Sequence, residues 1–95
     1  MTPQTLADVT PGGAATPITA STAEAIWVTV SAPKGNAGDI RVGDSNVGAA
    51  RGAAVAPDSS FTFVRGASDQ RTYVLSKIYV YGTSTDKATI TYASA

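Results

Sequence analysis

Apolar and polar residues alternate strictly along several short stretches of the chain, and this pattern predicts β-strands. Over 26–31, an aliphatic side chain at every second position alternates with Trp27, Thr29 and Ser31, which is typical of a half-buried strand. The same period of two returns at 39–42, 61–64, 77–81 and 88–92. The positions expected to face the core are Ile26, Val28, Val30, Ile40, Val42, Ile78, Val80, Ala88, Ile90 and Tyr92.

Turn-forming residues separate these stretches at intervals of roughly ten residues. They are PKGN at 33–36, GDSN at 43–46, PDS at 57–59 and GTSTD at 82–86, and 66–70 is expected to form another loop. Segments 77–81 and 88–92 are expected to form a hairpin, whereas 48–56 is too rich in Ala and Gly to assign. Five or six short strands predict an all-β fold, either a small antiparallel β-sandwich or a jelly-roll-like barrel.

The first 24 residues differ from the rest and divide the chain into two parts. Residues 1–24 contain Pro3, Pro11 and Pro17, with Gly12 and Gly13 between them, and proline prevents a helix of useful length. We expect an extended or flexible N-terminal arm over 1–24, either disordered or ordered against another surface, and a β-sandwich domain over 25–95.

Composition narrows the classes of partner and compartment. The length of 95 residues indicates one domain, and seven basic residues balance seven acidic ones without any cluster of one sign. A nucleic-acid partner is therefore not expected, because it requires a concentrated basic patch. No apolar run reaches the length of a membrane span and the first residues do not resemble a signal peptide. We expect a protein made in the cytoplasm that binds no membrane.

The chain has no histidine and no cysteine, which removes the usual catalytic bases, nucleophiles and transition-metal ligands. Its acidic residues fall mainly in predicted loops, where aspartate usually closes turns. A calcium site near Asp39 and the 43–46 turn is the alternative, although the spacing matches no EF-hand. We expect no enzyme activity, no catalytic residues, no cofactor and no metal. Oligomerisation remains the available way to stabilise so small a domain without disulfides.

Three aromatic residues, Trp27, Tyr79 and Tyr81, fall on the predicted outer faces of their strands. They could stack on a sugar or anchor a protein contact. Burial against a neighbouring subunit or against the N-terminal arm is the reading that we favour over ligand stacking.

Several segments, taken in order, resemble small virion proteins of tailed bacteriophages that decorate or cement a capsid or form short head fibres. The segments are GDIRVGDS at 38–45, Gly52, VAPDS at 55–59, LSKIYVYGT at 75–83 and Asp86-Lys87. The resemblance covers roughly residues 26–92 and rests on turn and strand signals.

The resemblance implies a β-sandwich or jelly-roll structural protein on the outer capsid surface of the virion, often a homotrimer. It brings no catalytic residue and no ligand motif. We expect a cement protein that stabilises the capsid by binding the major capsid protein lattice. The alternative is a carbohydrate-binding or fibre-tip recognition module. The candidate capsid or subunit contacts are Trp27, Tyr79, Tyr81, Pro11 and Pro17.

Overall fold

A computed structural model describes residues 3–64, 72–83 and 85–94, and these residues form two antiparallel β-sheets packed as a sandwich. The predicted all-β fold is confirmed. The strands of the described residues are β1 (Pro3–Thr5), β2 (Thr16–Pro17), β3 (Glu24–Ala32), β4 (Ile40–Gly43), β5 (Ala53–Val55), β6 (Ser59–Val64), β7 (Tyr73–Val74), β8 (Tyr79–Tyr81) and β9 (Thr89–Ser94). The predicted loop at 66–70 lies outside the described residues.

The first sheet has five strands and is organised around β3, its longest strand. The order is β1-β9-β3-β6, and β7 also pairs with β3. Because Ala25 pairs with Ser94 of β9 and with Tyr73 of β7, β7 lies on the side of β3 opposite β9. Strands β6 and β7 therefore follow one another along the same edge of the sheet.

The second sheet is smaller and covers the inner face of the first. Its order is β2-β8-β4-β5. Strand β5 lies within 48–56, the stretch whose Ala and Gly content gave no strand signal. Gly52, with φ of 104°, precedes β5 and takes a backbone conformation that favours glycine.

Most consecutive strands lie in different sheets, so the chain repeatedly arches from one layer to the other. Strands β3 and β4, β5 and β6, and β8 and β9 are each divided in this way. The predicted hairpin between 77–81 and 88–92 is therefore wrong, because β8 belongs to the second sheet and β9 to the first. The predicted strand also begins too early, since Leu75–Lys77 forms a 3₁₀ turn.

Residues 3–24 take part in both sheets, so a separate N-terminal arm is not confirmed. Strand β1 pairs with β9, and β2 pairs with β8. Between them, the amide and carbonyl of Val9 bond with Ala88. The side chain of Ile18 is 4% exposed and belongs to the core. Proline and glycine exclude a helix in this segment, but they do not prevent short edge strands.

The alternation predicted for 26–31 is confirmed except at its first residue. Val28 and Val30 are fully buried, and Trp27 is half-buried on the opposite face. A β-bulge between Ala25 and Trp27 shifts the register, so that Ala25 is buried and Ile26 is only half-buried. An extra residue in one strand interrupts the period of two.

The core lies between the sheets and contains most of the side chains that the alternation identified, together with Ile18, Val55 and Leu75, which it did not identify. Its buried members include Ile40, Val42, Ile78, Val80, Ala88, Ile90 and Tyr92. Leu6, Val9, Phe61, Phe63 and Tyr73 pack against this core from its margins.

Candidate functional site

The outer face of the first sheet carries rows of small hydroxyl side chains. Register partners in antiparallel strands project from the same face, and Thr5, Thr91, Thr29 and Thr62 are successive partners across β1, β9, β3 and β6. The hydroxyls of Thr29 and Thr62 are 2.9 Å apart and hydrogen-bonded. A second row lies two residues further along each strand and consists of Thr89, Ser31 and Ser60. The two rows together form the threonine face, which comprises Thr5, Thr91, Thr29, Thr62, Thr89, Ser31 and Ser60.

An apolar row borders the threonine face next to the row that contains Thr29, on the side away from the row that contains Ser31. Pro3, Ala93, Trp27 and Val64 are successive register partners across the same four strands. Ala93 is fully buried between its two larger neighbours, whereas Val64 is 61% exposed and is the one large hydrophobic residue so exposed among the described residues. The row therefore offers a partner a half-buried indole ring beside an exposed aliphatic side chain.

The threonine face and the apolar row contain no charged residue. Side chains alternate along strands about 6.8 Å per two residues, and strands lie about 4.8 Å apart. The result is a regular, uncharged surface whose contacts are short hydroxyl and methyl groups. Such side chains lose little conformational entropy when a partner covers them.

The outer face of the second sheet carries a different set of residues. Tyr79 lies between Pro17 of β2 and Gly43 of β4, and Tyr81 lies beside Arg41. Both tyrosines are half-buried. The guanidinium of Arg41 donates to the carbonyl of Gly52 at 3.1 Å, which holds the arginine over the sheet.

The five residues predicted as contacts do not form one site. Tyr79, Tyr81 and Pro17 share the outer face of the second sheet, whereas Trp27 lies on the outer face of the first. Trp27 therefore cannot join the tyrosines in a single stacking platform. Pro11 is buried near Gly82, and a buried ring offers no surface for a partner.

A groove opens at the edge of the sandwich where β6 and β7 face the end of β4. Its volume is about 580 Å³, and it is shallow and widely open to solvent. Phe63 and Tyr73 form one wall, with ring centroids 5.6 Å apart. Gly43 and Gly52 also line the groove. Asp44, Thr72 and Lys77 provide polar groups, and Val74 and Ile78 complete the lining.

Local hydrogen bonds hold the polar groups of this groove. The carboxylate Oδ1 of Asp44 accepts the amide of Asn46 at 2.9 Å, so this turn is closed by an aspartate as expected. The hydroxyl of Thr72 donates to the carboxylate of Glu24, and the Tyr73 hydroxyl donates to the carbonyl of Val64 at 3.3 Å. Sequence reasoning missed Phe63 and Tyr73 as site residues, because a groove between sheets depends on the pairing of distant strands.

Among residues 3–64, 72–83 and 85–94, no three His, Cys, Asp or Glu side chains come together where a metal ion could bind. No helix in this part of the chain is long and apolar enough to cross a membrane. Comparison with family models, curated proteins and solved structures finds no match for this chain.

Proposed function

We propose that this chain is a virion structural protein that decorates a bacteriophage capsid and stabilises it by binding the lattice of the major capsid protein. The observation that carries the proposal is the threonine face, which contains no charged residue and lies beside Trp27 and Val64 on the outer face of the first sheet. This surface supports docking by shape and contact area. The resemblance of 38–45 and 75–83 to small virion proteins supports the same role.

The size of the face favours attachment at many equivalent places. Four strands about 4.8 Å apart and three rows about 6.8 Å apart cover about 400 Å² in projection. Counting both partners, such a contact buries less than the roughly 1,200–2,000 Å² of a stable one-to-one complex. Binding to a symmetric lattice multiplies weak contacts through avidity, particularly if the decorating protein is a homotrimer.

Sedimentation with capsids tests the proposal. Capsid particles of the source phage, prepared without this protein, are mixed with the purified chain and pelleted. Thr29→Lys places a charge at the centre of the threonine face, and the expected result is a loss of binding by about tenfold or more, because the lysine must be desolvated against a close partner.

The matched control is Ala54→Lys, which adds the same charge at an exposed position of β5 in the second sheet. It should sediment with capsids as the unaltered chain does. If the unaltered chain is absent from the capsid pellet, the proposed function is wrong. Equal loss in both variants would move the docking surface away from the threonine face.

A further inference from the structure

We propose that the groove between β6, β7 and the end of β4 binds a neutral saccharide. This goes beyond the role in capsid decoration, because the groove and the threonine face use different residues. The sugar would lie on the wall made by Phe63 and Tyr73, with its hydroxyl groups directed towards Asp44, Thr72 and Lys77.

The dimensions and walls of the groove fit a sugar ring. Its volume of about 580 Å³ falls within the roughly 300–1,000 Å³ of small-molecule sites. The aromatic wall offers ring surface to the apolar C–H face of a pyranose. The backbone of Gly43 and Gly52 also lines the groove.

The polar groups favour a neutral ligand with many hydroxyls. Asp44 accepts hydrogen bonds and Lys77 donates them, and the Thr72 hydroxyl, whose hydrogen is donated to the carboxylate of Glu24, can accept one. Among the lining residues that the structure describes, one acid and one base balance each other, so this set favours neither an anionic nor a cationic ligand. The carboxylate of Asp44 also has lone pairs beyond the one that the Asn46 amide uses.

The open side of the groove favours a sugar over a purely apolar ligand. An apolar ligand gains affinity only from surface that it removes from water, and an open groove leaves much of that surface wet. A saccharide can place one face on the rings and leave its remaining hydroxyls in water. This arrangement matches a groove with an aromatic wall and a solvated mouth.

Nuclear magnetic resonance of the full ¹⁵N-labelled chain tests the proposal. Maltotriose, cellotriose and triacetylchitotriose are added separately up to about 10 mM, a range that detects millimolar dissociation constants. The expected result is that at least one trisaccharide shifts the amide signals of Gly43, Asp44, Gly52 and Tyr73. The signals of Thr29 and Thr91, on the threonine face, should not move.

Variants distinguish binding in the groove from binding elsewhere. Tyr73→Leu keeps apolar packing but removes the ring, and Lys77→Ala alters an exposed side chain; each should weaken binding by about tenfold. Tyr81→Leu, on the outer face of the second sheet, is the control and should bind as the unaltered chain does. The proposal is overturned if no trisaccharide shifts the groove signals, or if both groove variants, shown to be folded, keep full affinity. Capsid sedimentation is scored separately, so either proposal can fail alone.

Discussion

Asn36 and Lys87 are joined through both polar atoms of the asparagine side chain. The amide Nδ2 of Asn36 donates to the carbonyl of Lys87 at 2.8 Å, and its Oδ1 accepts the amide of Lys87 at 2.9 Å. The side chain thus imitates one step of a β-ladder between the arch that joins β3 to β4 and the arch that joins β8 to β9. The two arches are fixed to each other at the same end of the sandwich.

Asp86, the residue before Lys87, strengthens this connection. It is 4% exposed, and its carboxylate accepts the amides of Ala37 and Gly38 at 2.9 and 3.0 Å. Hydrogen bonds to a charged group contribute about 1.5–3 kcal/mol each, and unpaired buried donors are unfavourable. We predict that Asp86→Ala lowers the free energy of unfolding by about 2–4 kcal/mol, measured by urea denaturation.

Asp39→Ala is the matched control, because Asp39 lies in the same arch and is exposed. Its effect should stay within about 0.5 kcal/mol. A small loss in Asp86→Ala, equal to that of the control, would contradict the role of Asp86 in joining the arches.

Glycines at 52 and 82 are predicted to resist substitution for different reasons. A Cβ on Gly52 would lie 2.6 Å from Val47 Cγ2 and 2.8 Å from the carbonyl oxygen of Val42, and its φ is 104°. A Cβ on Gly82 would lie 2.6 Å from Cδ1 of Ile40, the end of a flexible side chain. Gly52→Ala should therefore lower the free energy of unfolding by at least about 3 kcal/mol, and Gly82→Ala by about 1–3 kcal/mol.

Gly48→Ala provides the comparison, since nothing lies within 4 Å of its Cβ position and no positive φ is involved. Thermal unfolding followed by circular dichroism should give Gly52→Ala the lowest melting temperature of the three variants. The melting temperature of Gly48→Ala should be nearest to that of the unaltered chain. A Gly52→Ala variant that melts at the same temperature as Gly48→Ala would show that the packing around Gly52 relaxes freely.

The sequence predicted which residues are buried better than it predicted how the strands are connected. Alternation correctly identified Val28, Val30, Ile40 and Val42 as core residues, because a half-buried strand exposes one face whatever its neighbours are. The same pattern does not specify the sheet to which a strand belongs. A short loop between β8 and β9 is compatible with a hairpin and with an arch. In the arch, Asp86 is buried and bonded to the loop between β3 and β4.

The candidate surfaces were predictable to different degrees for the same reason. The outward positions of Trp27, Tyr79 and Tyr81 follow from alternation, and all three are half-buried away from the core. Their separation onto two faces depends on sheet membership. The groove beside Tyr73 depends on pairing between residues far apart in the chain, such as Ala25 and Tyr73. Local sequence patterns do not reveal such pairing.

Removal of the first 24 residues is predicted to unfold the domain. The deletion takes away β1, β2 and the buried Ile18, and it leaves Val80 and Ile90 of the core less covered. We expect loss of the cooperative thermal transition in circular dichroism, because a domain of this size has only about 5–15 kcal/mol of stability. Asp8→Ser, an exposed change in the same segment, should keep the transition. A truncated chain that unfolds cooperatively at the original temperature would show that this segment is dispensable for the fold.

Docking through an uncharged face should depend little on salt, and this prediction follows from the proposed function. The threonine face and the apolar row carry no charge, so screening removes no attraction between this surface and the capsid. We expect the fraction of the chain that sediments with capsids to change by less than about twofold between 50 and 500 mM sodium chloride, a range over which the Debye length falls severalfold. Ala54→Lys, which adds a charge on the other sheet, should behave in the same way. A steep fall in sedimentation with salt would instead indicate docking through charged residues such as Arg41 and Lys77, which lie outside the threonine face.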